Sequence, residues 1–189
     1  GLQAIATAKR LGAVVEATDL RPTAKDQVES LGGKWLDVPM SAEEQDNAKK
    51  AAASGYAWMP GPQYIADQAV IVDKAVSNAD IVITTALIPG RNAPRLIKAE
   101  TVAKMKPGSV ILDMAVETGG NVEGSVLGET ISTANGVRII GTPNIPATLA
   151  AQSSALYANN LLNFLVTLFD KEGKLALNPE DDIQKALLI

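Results

Sequence analysis

Residues 1–21 read GLQAIATAKRLGAVVEATDLR, and this stretch sets the frame for the rest of the chain. Leu2, Ile5, Ala6 and Leu11 fall near one helical face, with Ala4, Thr7 and Ala8 between them, which predicts a helix. Gly12 tolerates the left-handed conformation in which helices commonly end. Ala13 to Thr18 is short, apolar and partly β-branched, the composition of a strand buried on both faces. Asp19 closes it.

An acid at a strand end, about 20 residues past a glycine that opens a helix, matches the ribose-binding half of a dinucleotide fold. Such a carboxylate accepts hydrogen bonds from ribose hydroxyls and repels a 2′-phosphate, so Asp19 favours NAD over NADP. Arg21 pulls the other way, because NADP sites use arginine. The full fingerprint is G-x-G-x-x-G, and the sequence opens at what would be its last glycine, Gly1. The first strand of the fold is therefore expected to be missing. The plainer reading of the stretch is any α/β protein with an acid after a strand.

The totals narrow the chemistry. A chain of 189 residues with 47% hydrophobic and 20% charged residues suits one good core, or one core with an appendage. A net charge of −4 argues against a nucleic-acid surface. Without Cys there is neither disulfide nor thiolate chemistry, and without His the commonest general base and zinc ligand are gone. No metal is expected. No apolar run reaches the roughly 18 residues of a membrane span, and no signal-peptide pattern opens the chain. The start inside a motif suggests a fragment or one piece of a larger assembly.

Pro22 suits the start of a short helix that includes Lys25 to Leu31; Gly32-Gly33 breaks it, and Lys34 to Val38 reads as a strand. Residues 41–54 are polar with little periodicity, a solvated helix or a mobile loop. Residues 55–62, GYAWMPGP, set two aromatics and a Met beside two prolines, which fits a lid closing on a ligand or a loop packed on its own domain. Gln63 to Asn78 is an amphipathic helix with Ile65, Ala69, Val72 and Val76 expected on the buried side. Ala79 to Thr85 is a core strand ending in the turn signal ALIPG. Pro94 to Met105 is a helix, Ser109 to Met114 a core strand, residues 122–136 an irregular excursion, and Val137 to Ile140 a further strand. Ala147 to Phe169 is a long helix, apolar over much of its girth, and residues 170–189 form a charged tail ending in apolar residues.

Strands alternating with helices predict a Rossmann-like, doubly wound parallel sheet. The loops at Asp19, Ala86 to Gly90, Glu117 to Asn121 and Asn144 all follow strands, so they should line one edge of the sheet, where open α/β folds bind ligands.

The stretches GLQAIATAKRLGAVVEATDLR, GYA, TTALIPGRNAP, MKPGSVILDMAVETGGN and TPNIP together resemble the NAD(H)-binding domain I of the proton-translocating NAD(P) transhydrogenase family, alpha subunit, within the alanine dehydrogenase/transhydrogenase superfamily. The resemblance covers nearly the whole chain. It implies a nucleotide domain over residues 1–146, with a connecting helix and tail over 147–189 toward an N-terminal or dimerisation subdomain outside the sequence. It implies Gly1 against the pyrophosphate, and Asp19, Leu20 and Arg21 about the adenosine ribose. Gly55, Tyr56 and Ala57 would form a mobile loop over NAD(H). Gln68 and Leu87 would contact the nucleotide, and Asn144 would lie toward the nicotinamide. No residue of this stretch is implied as catalytic. The family's Arg-Gln-Asp loop, which orients the nicotinamide, lies outside the sequence, and Met59 falls one place before the family's Met.

The resemblance further implies hydride transfer between NAD(H) here and NADP(H) on a partner subunit, coupled to proton translocation by membrane-embedded subunits. It also implies a homodimer held peripherally on the inner face of the cell membrane, with the 189 residues inactive alone. The alternatives are an alanine dehydrogenase and a non-catalytic nucleotide-binding domain. The former needs an acid–base pair; its Asp position is Glu117 here, and its His lies in the absent part. Hydride exchange between two nicotinamides needs only the placement of two rings, which a chain without His accommodates.

Overall fold

The computed structural model describes residues 1–52, 59–88 and 90–187, which fall into two compact units, Gly1–Pro143 and Asn144–Ile189. In the first unit, α1 (Leu2–Arg10) ends as its glycine predicts. Gly12 takes φ +87°, and the N–H groups of Gly12 and Ala13 donate to the carbonyls of Lys9 and Ala8. Only Ile5 of its apolar face is buried, while Leu2 and Leu11 are exposed. β1 (Glu16–Ala17) pairs in parallel with β2 (Lys34–Trp35) across α2 (Ala24–Ser30), and Lys34 Nζ lies 2.7 Å from Glu16 Oε1.

The polar stretch after β2 folds as α3 (Ala42–Ala52). Its start is a reciprocal cap: Glu44 N donates to Ser41 Oγ, and Ser41 N donates to Glu44 Oε2 at 3.0 Å. α4 (Pro62–Asn78) begins at a proline and buries Tyr64 and Val76. Ile65 and Ala69, expected inside, are exposed. The inward stripe instead runs Tyr64, Gln68, Val72, Val76 at a spacing of four. The helix serves two cores: Tyr64 packs with Ala48, Leu20, Val38 and Met40, and Val76 packs with Ile97, Ile111 and Ile139.

β3 (Ile81–Thr84), β4 (Val110–Asp113), β5 (Thr130–Ser132) and β6 (Arg138–Ile140) form a sheet of order β3-β4-β6-β5, parallel except for β5 against β6. The supposed irregular excursion over 122–136 thus contains a strand. The expected helix over Pro94–Met105 shortens to α5 (Ala99–Val102), because Leu96 and Ile97 donate their N–H groups to Asn121 O and Ile97 bridges to Val122. The mixed α/β, parallel-dominated architecture is as expected, but its strands lie in two separate sheets. Among the described residues β1 and β3 are each paired on one side only. Val14, just ahead of β1 in the stretch expected to be buried on both faces, is 92% exposed, and Ile81, in the expected core strand, is 70% exposed.

In the second unit a 3-10 turn (Ile145–Leu149) leads into α6 (Ala150–Thr167), none of whose residues is buried. The tail closes as α7 (Asp182–Leu187), with the buried Gln184 donating to Thr167 O and accepting from Asn178 N. Lys185 to Leu187 is therefore helix and supplies no strand to a sheet.

The most connected polar group of the first unit is the Asp113 carboxyl, wholly buried at the end of β4. Its oxygens accept from Thr84 Oγ1 and from the amides of Ala115, Asn121 and Val122, at 3.0–3.2 Å. Gly120 has φ +80°, and a Cβ there would stand 2.6 Å from Asp113 Oδ2. Asp113→Ala strands four buried donors, so it should cost about 3 kcal/mol or more. Urea midpoints check this; a midpoint equal to that of the parent would contradict the role assigned to the carboxyl.

Candidate functional site

Two residues past β1, the chain folds back on the acid that ends the strand. Asp19 Oδ1 accepts from the Arg21 amide (2.9 Å) and Nε (3.0 Å), and Oδ2 accepts from Nη2 (2.9 Å). Burial by itself raises the Asp19 pKa, but the Arg21 side-chain and backbone hydrogen bonds and the Arg21 charge outweigh it and hold the carboxyl below the ordinary range. The same pairing raises the Arg21 pKa. Leu20, between them, turns inward and packs against the small core of Ala48 and Tyr64. The loop is thus anchored by its middle residue and presents its two charges outward.

Tyr64 supports that loop from α4. Burial chiefly, then the nearby charges of Asp19 and Glu44, pushes its hydroxyl pKa up to about 12. Gln68 follows one turn later on the same helix, partly buried. Neither Tyr64 nor its buried neighbourhood stands out in the sequence, since one Tyr in an amphipathic helix carries no signal beyond apolarity.

Gly1 opens α1, whose first turn has no acidic residue and no side-chain cap. An added Cβ on Gly1 would meet Thr85 Oγ1 at 3.5 Å. The helix start therefore lies beside the carboxyl end of β3. A helix N-terminus with open N–H groups is a natural seat for an anion.

After Thr85 the chain turns through Ala86 and Leu87, and Leu87 and Ile88 are exposed. This loop is held from below by Asn121. Its Oδ1 accepts from Ala86 N (3.1 Å), and its Nδ2 donates to Ala86 O (2.9 Å) and Pro94 O (2.8 Å). Arg95 ties the same layers by donating to Gly119 O at 3.1 Å and to Val122 O. In the sequence, GGN is legible only as a motif; the signal that could have revealed its role is the acid ending the preceding strand.

In the first unit Gly1 lies beside Thr85 at the carboxyl end of β3, Asp19, Leu20 and Arg21 follow β1 beside Tyr64 of α4, Gln68 lies one turn further along α4, and Leu87 lies on the loop after β3. Glu117 sits exposed on a 3-10 turn after β4. Asn144 belongs to the second unit, where it takes a left-handed conformation (φ 45°, ψ 48°) ahead of the 3-10 turn. Gly55, Tyr56 and Ala57 lie outside the described residues. Among the described residues no group of three or more acidic, His or Cys side chains could hold a metal ion, and no helix is long and apolar enough to cross a membrane.

The chain is 53% identical over 185 residues to the first polypeptide of the NAD(P) transhydrogenase alpha subunit of Rhodospirillum rubrum, covering 96% of this chain and 46% of that protein. A transhydrogenase structure from Sinorhizobium meliloti superposes with a TM-score of 0.68 at 47% identity, over 88% of this chain and 41% of that one. An L-alanine dehydrogenase structure gives 0.54 at 27% identity, over 82% and 43%. The chain spans less than half the length of these relatives. The model of the alanine dehydrogenase/PNT C-terminal domain matches residues 1–189 throughout, and the chain belongs to that family.

Proposed function

We propose that this chain is the NAD(H)-binding part of a proton-translocating transhydrogenase, in which hydride passes between NAD(H) held here and NADP(H) on a partner subunit. The observations that carry the proposal are a partly exposed carboxylate, Asp19, just past the end of β1, and the start of α1 at Gly1 beside Thr85 at the end of β3. A carboxylate for ribose hydroxyls and open helix N–H groups for a diphosphate are the two grips that a dinucleotide needs. The high identity to a transhydrogenase subunit, above that to the alanine dehydrogenase, supports this reaction over amine oxidation.

The bound nicotinamide supplies the hydride. This chain's residues then have binding and positioning roles only. Asp19 accepts from the ribose, and Leu20 keeps that carboxylate in register by anchoring its loop. The α1 start receives the diphosphate, while Gln68 and Leu87 contact the nucleotide. Gly55, Tyr56 and Ala57 would cover it, and Asn144 would face its nicotinamide end. No proton need move at the reacting carbons, so the absence of His is no obstacle. Residues 1–146 would form the nucleotide domain, and 147–189 would lead toward the remainder of a homodimeric subunit. Membrane-embedded partners would hold that subunit at the inner face of the membrane.

Transfer from NADH to an acetylpyridine analogue of NAD, with partner subunits and NADP(H) supplied, tests the reaction. The 189 residues alone should give no turnover, and turnover should appear when they are joined to the remaining length that the relatives carry. Robust turnover by the 189 residues alone would overturn this division of labour, and none from the longer protein would remove the transhydrogenase reading.

Asp19 should set cofactor choice. Asp19→Ala should lose its NAD preference by on the order of 1–3 kcal/mol, and equal NAD and NADP affinities in the parent would refute the assignment. The folded pKa of Asp19 is depressed, so the stability contributed by its pairing is present above the unfolded carboxylate value of about 3.9 and lost as pH falls through the folded value. The urea-midpoint gap between parent and Asp19→Asn should therefore be open at pH 7 and close in acid; a gap independent of pH counts against it.

The exposed Leu156, Tyr157, Leu161, Leu162, Leu165 and Val166 of α6 support assembly. The isolated chain should self-associate, and light scattering giving a clean monomer at high concentration would argue against that.

A further inference from the structure

Asn121 is the most thoroughly bonded side chain beneath the exposed loop that follows β3. It is wholly buried, so it cannot itself touch a ligand. Its three polar contacts all go to main-chain atoms of the neighbouring segment: Ala86 N, Ala86 O and Pro94 O, at 2.8–3.1 Å. Its own carbonyl accepts from the amides of Leu96 and Ile97, and its amide donates to Asp113 Oδ1. One residue thus joins the end of β4 to both ends of the segment 86–94. Ala86 immediately precedes Leu87, whose side chain is 56% exposed.

The pattern is specific to an asparagine amide. One oxygen must accept from an N–H while one nitrogen donates to two carbonyls, and the side chain must be short enough to sit between the two loops. Asp would turn both donor contacts into repulsions, Ala would leave all three main-chain groups unpaired, and Gln would carry the amide one methylene too far. Asp113 completes the arrangement, since it also binds Thr84 Oγ1 and so fixes the end of β3 on the same anchor. Every one of these bonds is internal to the chain, which is preorganisation: the ordering is done before a ligand arrives.

We infer that Asn121 is a positioning residue for nucleotide binding, holding the loop after β3 so that Leu87 is presented in a fixed place. This rests on the NAD(H)-binding reading of the site. Asn121 acts only through Leu87 and its loop, so removing Leu87 should remove what Asn121 contributes to affinity. A residue needed merely for folding would show no such dependence.

The test is a double-mutant cycle in the full-length subunit: Asn121→Ala, Leu87→Ala and the pair, each titrated with NADH, with thermal midpoints recorded alongside. Asn121→Ala should weaken NADH roughly tenfold, the size of an unmade hydrogen bond or two. In the Leu87→Ala background it should change the affinity little, so that the effects are far from additive. Additive losses, or a lowered midpoint with unchanged affinity, would overturn the inference. Hydrogen exchange on the unmutated subunit keeps the question open to test even if Asn121→Ala does not fold. The Ala86 amide should already be protected without NADH, and free exchange there overturns the inference directly. Failure of the unmutated subunit to bind NADH, with Ala86 protected, would instead sink the nucleotide reading and the inference with it.

Discussion

A single buried carboxyl governs the architecture at the carboxyl edge of the four-stranded sheet. Asp113 stands where β4 ends, and the strand's alternation would otherwise put an apolar side chain there, in line with Ile111. An acid at that point must find donors, because burying it unbonded costs several kcal/mol. It finds them in the Thr84 hydroxyl and in three amides of the loop that curls back over it. That demand shapes the loop: the consecutive glycines 119 and 120 both take positive φ, and Gly120 leaves no room for a Cβ. Asn121 and Val122 are then delivered to the neighbouring segment, where Ile97 and Arg95 receive them. Remove the carboxyl and the order of the loop that follows has no local cause.

Much of this is readable in the chain itself, for definable reasons. The helix–glycine–strand–acid succession of residues 1–19 is local, and local signals survive folding: Gly12 adopts the left-handed turn, and Asp19 ends at a pair of main-chain and side-chain donors. The strands at 81–84, 110–113 and 138–140 are visible as short β-branched runs between turns. What the sequence does not carry is which side of an element faces inward. α4 has apolar residues on more than one face, and the choice of Tyr64 over Ile65 depends on where α3 and the core lie, a tertiary fact. Likewise, Pro94–Lys98 has helical composition but is pulled out of helix by Asn121, twenty-odd residues away in sequence. The capping signal S-A-E-E at Ser41 is legible by its spacing, but the uniform polarity of the residues around it masks the helix it starts.

The Asp19–Arg21 pair illustrates how one charge can be available and neutralised at once. Each Asp19 oxygen takes one or two bonds from Arg21, yet the carboxyl remains about one-third exposed. A carboxylate oxygen has room for more than one donor, so hydroxyls can still reach it. The guanidinium softens the field around the carboxylate, so what the pair presents to its surroundings depends on geometry as well as on charge.

The hairpin of β5 and β6 has a bearing on how the unit assembles. Ser132 and Arg138 face each other across a loop of five residues, closed by Thr133 and Asn135. The parallel pairs of the same sheet require far longer closures, Ile81 to Val110 and Val110 to Arg138. Hairpins form in microseconds, whereas distant parallel pairings wait on the entropy of large loops. The antiparallel strand, the one departure from a purely parallel sheet, is thus the portion whose register is available earliest, and it offers β6 as a ready edge on which β4, and then β3, can be laid.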